Sequence, residues 1–393
     1  MSLSYCQSIS CYAADTAGVC SALFELGGMT IVHDASGCNS TYATHDEPRW
    51  YDADSMVYIS ALTEMDAVCG NDQKLIDDVV RCARELRPRF IALCNSPIPL
   101  MIGSDMAAIA REIEQASGIA SFAVPTSGME HYWRGAADAF LQLAKRFLPE
   151  RDEKTVQGAG VNILGATPLD FSLNGNVESI VEFLQQNNYV VQSCWAMNSS
   201  WEDIISTPQA AVNLVISNSG LPLAHYLRDC YGIPFVCGVP LGAAGSRAVK
   251  QALDEACREK RNLYSCKLRH AQAGVTGAVI GESIFSGSLA YALSAELQIN
   301  CRVIDPLSGD KNLLDMAVDK QITGEDAIAV ALEDVQLVVA DPMYAPIIPA
   351  GKKFLRLPHE AFSGRCYHRE RLNLINKAIA GLFNIQGSPD VIS

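Results

Sequence analysis

Fourteen cysteines in 393 residues are the side chains here best suited to chemistry, and Cys38 stands in the most informative setting. A short β-branched run, Met29 to Val32, ends in His33-Asp34-Ala35-Ser36-Gly37-Cys38. A hydrophobic strand that runs out into a Gly-Cys turn presents its thiol at the carboxyl end of a sheet, where α/β proteins keep their ligands. Cys11 and Cys20 precede it and Cys94 follows, all near strand ends or loops. Thiolates tens of residues apart can converge on an iron–sulfur cluster, because such clusters take Cys ligands from different loops. The same thiols suit buried packing positions, and spacing alone leaves both readings open. His45, Arg49, Trp50 and His131 are further candidates to line a cavity nearby.

The common compact signatures are absent. No G-x-G-x-x-G follows a strand, and there is no P-loop, G-x-S-x-G elbow, H-E-x-x-H or C-x-x-C; these absences weaken the dinucleotide, NTP, serine-hydrolase and zincin readings and a compact zinc or ferredoxin ligand set. A net charge of −14 and a pI near 4.9 argue against nucleic acid and anionic membranes, which are bound by Lys/Arg patches. No apolar run is long enough to span a bilayer. The amino terminus, MSLSYCQSIS, has neither a basic start nor an apolar core. A reducing cytoplasm is therefore the expected setting.

The elements that must position these residues alternate strand and helix. Strands are expected at 29–32, 56–64, 90–97 and 121–128, with a helix within 66–88 capped at Asn71-Asp72 and helices over 106–118 and 133–148. A charged, Gly-containing stretch, 151–160, reads as a linker. A second series follows: strands at 161–168, 189–195, 211–220 and 233–240, with helices over 176–187, 221–232 and 246–271. The third has strands at 277–283, 299–306, 335–342 and 352–358, a helix over 287–298 and a closing helix over 371–383. The fold class is α/β, with three Rossmann-like domains at 1–155, 156–270 and 271–393, each a small parallel sheet flanked by helices. One large doubly wound sheet is the competing arrangement.

The segment SCYAADTAGVCSALFELGGMTIVHDASGCNSTY resembles the amino-terminal cluster region of nitrogenase component 1-type oxidoreductases. His33 to Cys38 keep the His, Gly and Cys of that family's His-Gly-Pro-x-Gly-Cys motif, with Asp34 and Ala35 in place of Gly and Pro. DAVCGNDQKL, LMIGSDM, VNILG, YGIPFVCGVPLG and FLRLPHEAFSG resemble later family segments in the same order. The resemblance implies three Rossmann-like domains and a [4Fe–4S] cluster at an interface with a similar subunit, in a homo- or hetero-oligomer. It also implies electrons delivered by a separate ATP-dependent iron–sulfur reductase protein. Carried over residue by residue, Cys11 and Cys38 become cluster ligands, with Cys94 a displaced third, and His33 and Gly37 shape the ligand turn. His359, ahead of Phe362-Ser363-Gly364, matches a histidine that holds a second metallocluster in nitrogenase proper.

The departures narrow the expectation. Pro97 stands where the family's third cluster Cys belongs, and Ala224, with His225 beside it, stands where nitrogenase has its metallocluster thiolate. Dinitrogen reduction is therefore not expected, and the catalytic residues remain unassigned. The chain reads as an oxidoreductase subunit that passes electrons to a substrate between its domains. The alternatives are a scaffold or carrier for a metallocluster or tetrapyrrole-like ligand, and a metal-free α/β binding protein derived from the family.

Overall fold

A computed structural model describes residues 7–35, 47–151, 159–269 and 274–381. Among them are three separate all-parallel sheets, so the single-sheet alternative is excluded. The first comprises β1 (Met29–His33), β2 (Met56–Ile59), β3 (Ile91–Asn95) and β4 (Ser121–Val124), in the order β2-β1-β3-β4. The second comprises β5 (Gly160–Ala166), β6 (Val190–Ala196), β7 (Val212–Val215), β8 (Phe235–Cys237) and β9 (Leu263–Tyr264), in the order β6-β5-β7-β8-β9. The third comprises β10 (Gly277–Ile280), β11 (Cys301–Asp305), β12 (Lys320–Gln321), β13 (Leu337–Ala340) and β14 (Lys353–Arg356), in the order β12-β11-β10-β13-β14. All three orders reverse direction beside their first strand. That topology opens a crevice at the carboxyl ends, between β1 and β3, between β5 and β7, and between β10 and β13.

The apolar strands arise because both faces of each sheet are covered. In the first sheet Ile31 and Leu93 face the helices Asp72–Leu86 and Met106–Ser117, through Ile76, Val80, Ile109 and Ile113. Val32, Cys94 and Val124 point the other way, onto the helices Asp15–Leu23 and Tyr132–Phe147. This second core runs on without interruption into the second and third sheets. No helix of the described residues is long and apolar enough to cross a membrane.

Four expectations are corrected. The strand expected over 56–64 ends at Ile59, and a helix, Glu64–Cys69, begins under a Thr63/Asp66 capping box and stops at Gly70 in the left-handed region. The strand expected over 90–97 ends at Asn95, and Pro97 starts the helix Pro97–Ile102, since proline suits the first helical turn. The helix expected over 246–271 runs instead from Gly242 to Glu259, and Leu263–Tyr264 forms the sheet edge. No closing helix forms over residues 371–381: Arg371 is drawn into an ion pair with Glu360, Asn373 donates to the Gly175 carbonyl and Ser179 Oγ, and Ile375 bridges Leu241. The remainder of that expected helix, 382–383, lies outside the described residues.

Candidate functional site

The carboxyl ends of the second and third sheets face one cleft, with about 670 Å³ of unfilled space including its open mouth. β5 leads through Thr167 into the short helix Pro168–Phe171, which brings Asp170 to the wall. β10 ends in Gly281-Glu282, β13 in Asp341, and β14 leads through Leu357-Pro358 to His359. The amino-terminal segment lays Tyr12 across the same space, stacked on Phe362 at 4.3 Å between ring centroids. Every one of these residues follows a strand or lies on a strap between elements, so the parallel topology brings them together.

Four carboxylates meet here, and most are occupied. Asp170 accepts from Tyr132 Oη at 2.5 Å and Thr167 Oγ1 at 2.9 Å. Asp341 accepts from the backbone N–H groups of Met343 and His359. Glu360 pairs with Arg371, whose side chain is 3% exposed. Glu282 caps the helix Ser283–Leu297 through the N–H groups of Ile284 and Phe285, and reaches across to Asn218 in the second sheet's crevice. Burial, then the Asp170 charge, pushes Glu282 up to about 8 despite those N–H donors.

Several buried polar atoms in this cleft have no partner among the described residues: His359 Nδ1, Arg371 Nε, and both amide atoms of Asn174. Buried polar groups are ordinarily satisfied, so such a concentration marks a place for a ligand. The donors are oxygen and nitrogen, and no cysteine is among the lining residues. An iron–sulfur metallocluster held by a thiolate does not fit that set, because soft iron–sulfur centres take thiolate ligands. Ala224, at the position of nitrogenase's thiolate, is fully buried within the helix Leu221–Tyr231, and His225 packs edge-on against Phe235.

The sequence candidates separate. His359 lines the cleft. Cys11 is an exposed free thiol, one residue from Tyr12. Cys94 is fully buried in β3, opposite Val32 and Val124, and burial, then neighbouring Cys20, raises its thiol well above the usual range. That is the setting of a packing group. His33 closes β1 with Nδ1 2.8 Å from Ser60 Oγ, and burial lowers its pKa. Gly37, Cys38 and His45 lie outside the described residues. Arg49 binds Glu25, Glu47 and the Ser21 and Ala196 carbonyls, so it braces the first sheet against the second. Trp50 packs on Phe24, and His131 on Tyr12. No group of three or more His, Cys, Asp or Glu among the described residues is arranged to hold a metal ion.

Sequence reasoning missed Tyr12, Tyr132, Asp170, Glu282 and Arg371. The available signal was position: Asp170 and Glu282 each follow an apolar strand closely.

The segment that carries Cys11 and Tyr12 is itself tethered. Glu325 accepts the N–H groups of Gln7, Ser8 and Ile9 at 2.9, 2.9 and 3.2 Å, and these bonds lower its pKa. With a depressed folded pKa the tether is present above the ordinary carboxylate range and is lost as pH falls through the lowered value. Glu325→Ala is expected to speed amide exchange at residues 7–12 at neutral pH and leave the second sheet's exchange unchanged. Unaltered exchange in that segment would show that the Ala13 N–H bond to the Ala361 carbonyl suffices to hold it.

A profile of the nitrogenase component 1 type oxidoreductases matches residues 15–273. The nitrogenase iron-molybdenum cofactor biosynthesis protein NifE of Clostridium pasteurianum is 26% identical over 230 residues, which make up 55% of this chain and 48% of that protein. One of the subunits of light-independent protochlorophyllide reductase from a Synechococcus strain is 26% identical over 201 residues, 47% of this chain and 39% of that protein. The chain thus spans about half, or less, of the length of these curated relatives. Nitrogenase Cp1 at pH 5 shares the fold, with a TM-score of 0.67 at 15% identity over 97% of this chain and 90% of that one. With the profile covering well over half of its residues, this chain belongs to the nitrogenase component 1 type oxidoreductase family.

Proposed function

We propose that this chain is a redox subunit that binds its substrate, or a cofactor precursor, in the cleft between the second and third sheets. A [4Fe–4S] cluster held in part by Cys11 and Cys38 would be shared with a second subunit. The observation that carries this reading is the continuity of one short segment: Cys11 is exposed and the next residue, Tyr12, walls the cleft beside His359. When bound, the cluster supplies single electrons. The chain's own part is to seat the ligand among Asn174, His359 and Arg371, and to shield it with Tyr12, Phe171 and Phe285. A cytoplasmic setting follows from the need to keep those thiols reduced.

The first sheet supports a partner of the same fold. The short helices Glu64–Cys69 and Pro97–Ile102 pack together at its carboxyl end and expose Met65, Val68, Leu100 and Met101. β1, which precedes Cys38 in the sequence, ends at the same end, so a subunit seated there would bring further thiolates to that end. An ATP-dependent iron–sulfur reductase protein is the electron donor this reading requires. The second reading, a scaffold or carrier, draws on the oxygen- and nitrogen-lined cleft, which suits an organic ligand or precursor as well as a reduction.

Anaerobically purified and reconstituted protein is expected to bind iron and acid-labile sulfide with a dithionite-bleached visible band. Cys11→Ala and Cys38→Ala are each expected to lose most of the iron. No iron after reconstitution, with both variants indistinguishable from wild type, would sink the cluster reading. A cluster bleached by dithionite that no reductase partner reduces would make the protein a carrier.

A further inference from the structure

The His359 ring stands where all three sheets contribute a group. Tyr12 meets it edge-on at 5.9 Å, and Tyr132, from the helix that follows the first sheet, lies at 5.9 Å on another side. Asp170, from the loop after β5, places Oδ1 3.5 Å from His359 Nε2. Nδ1, across the ring, is buried and has no partner among the described residues. The two ring nitrogens therefore occupy opposite environments.

Asp170 is itself oriented. Tyr132 donates to its Oδ1 and Thr167 to its Oδ2. An ionised carboxylate only accepts, and with both oxygens already engaged by hydroxyl donors, the lone pair that remains on Oδ1 calls for an N–H from the ring. A carboxylate behind one nitrogen fixes which nitrogen carries the proton, and so sets the chemistry of the other. At 3.5 Å the contact is at the outer limit of a hydrogen bond, as such contacts commonly are before a ligand tightens them.

We propose that Asp170 is a positioning residue that holds His359 as its Nε2–H tautomer and so presents Nδ1 to the cleft as a lone-pair acceptor. The ligand would be one that brings an N–H or O–H to that atom. This rests on the reading of the cleft as the ligand site. It assigns that site a preference: an acceptor-only group, such as a carboxylate, would find no donor at Nδ1, whereas an amide, pyrrole-type N–H or hydroxyl would find its acceptor. Tyr132 extends the arrangement to the first sheet, since its hydroxyl orients the carboxylate that orients the ring.

Two-bond proton–nitrogen correlation spectra of ¹⁵N-histidine-labelled protein, at a pH where the ring is neutral, read this directly. His359→Gln assigns the signals. Wild type is expected to show Nε2 with pyrrole-type and Nδ1 with pyridine-type shifts. Asp170→Asn is expected to keep that tautomer, because its amide oxygen still accepts from Tyr132 and the ring while its nitrogen donates to Thr167. Asp170→Ala is expected to average the two tautomers. A wild-type ring protonated at Nδ1 would overturn the proposal, even if Asp170→Ala did not fold. So would an Asp170→Ala protein that holds the same single tautomer as wild type. The measurement needs neither iron nor ligand, so its failure and a failure to bind a cluster are separate results.

Discussion

Gly135→Ala is expected to destabilise the protein by about 3 kcal/mol or more, at the upper end for an overpacked site. The helices Asp15–Leu23 and Tyr132–Phe147 cross backbone to backbone through two glycines. A Cβ on Gly135 would lie 1.9 Å from the Asp15 carbonyl oxygen, and one on Gly18 would lie 1.8 Å from that of Tyr132. Neither obstacle is the tip of a flexible side chain, so relief requires the helices to part. Parting them uncovers a core in which Val19, Ala22, Ala136 and Phe140 are fully buried. It also moves Tyr132, the first residue of its helix, off Asp170, so the variant is expected to disturb the cleft as well as the core. Urea unfolding midpoints measure the first effect. Gly245→Ala is the control: its nearest neighbour is 3.7 Å away and it sits inside a helix, so it is expected to be neutral or stabilising by up to about 1 kcal/mol. A Gly135→Ala protein within about 1 kcal/mol of wild type would mean that the two helices slide apart at little cost.

That crossing also shows where sequence reasoning stops. Asp15–Leu23 is buried along its whole length, so it has no polar face and leaves no 3.6-residue signal to read. The helices Asp72–Leu86, Met106–Ser117 and Tyr132–Phe147 each keep a wet face and were legible. The strands were legible for a related reason: sheets covered on both faces give continuous apolar runs, and four of those strands, β5, β10, β13 and β14, lead into the cleft. The segment after Arg371 failed in the opposite way. Its leucines and isoleucines suit a helix, but Arg371 and Asn373 are engaged by distant partners, Glu360 and Gly175, which no local pattern announces.

The site divides along the same line. His359 emerged from family resemblance, and the cleft then proved to contain it. Asp170 and Glu282 carried no motif, because a carboxylate after a strand is usually a helix cap, and Glu282 is one. What distinguishes them is the distant partners, Tyr132 from the first sheet and Asn218 from the second, which exist only once three sheets have assembled. The cysteines divide by burial. Cys94 shares the type and near-strand placement of the other candidates, yet its position in β3 directs it into the core.

The Arg371–Glu360 pair closes the cleft from the carboxyl-terminal side, and removing one member is expected to cost more than removing both. Both side chains are at most 4% exposed. Arg371 also donates to the Gly364 carbonyl and to Ser172 Oγ, so one guanidinium ties the final segment to the loop after the helix Pro168–Phe171. Arg371→Met strands the Glu360 carboxylate, only 4% exposed, without its cation, at an expected cost of about 3–5 kcal/mol. Arg371→Met/Glu360→Leu removes the stranded charge along with its partner and is expected to recover at least half of that loss, since apolar replacements of a buried pair are often neutral. Denaturant titrations of the four proteins in the cycle give the coupling directly. A double variant no more stable than Arg371→Met would show that the guanidinium acts through Gly364 and Ser172 rather than through the carboxylate. The ligand responds differently: Arg371 Nε lacks a partner within the described residues, so the double variant is expected to regain its fold without regaining affinity for whatever the cleft binds. A stable protein with an empty cleft would separate the two roles of one residue, holding the last segment in place and offering its remaining N–H to the ligand.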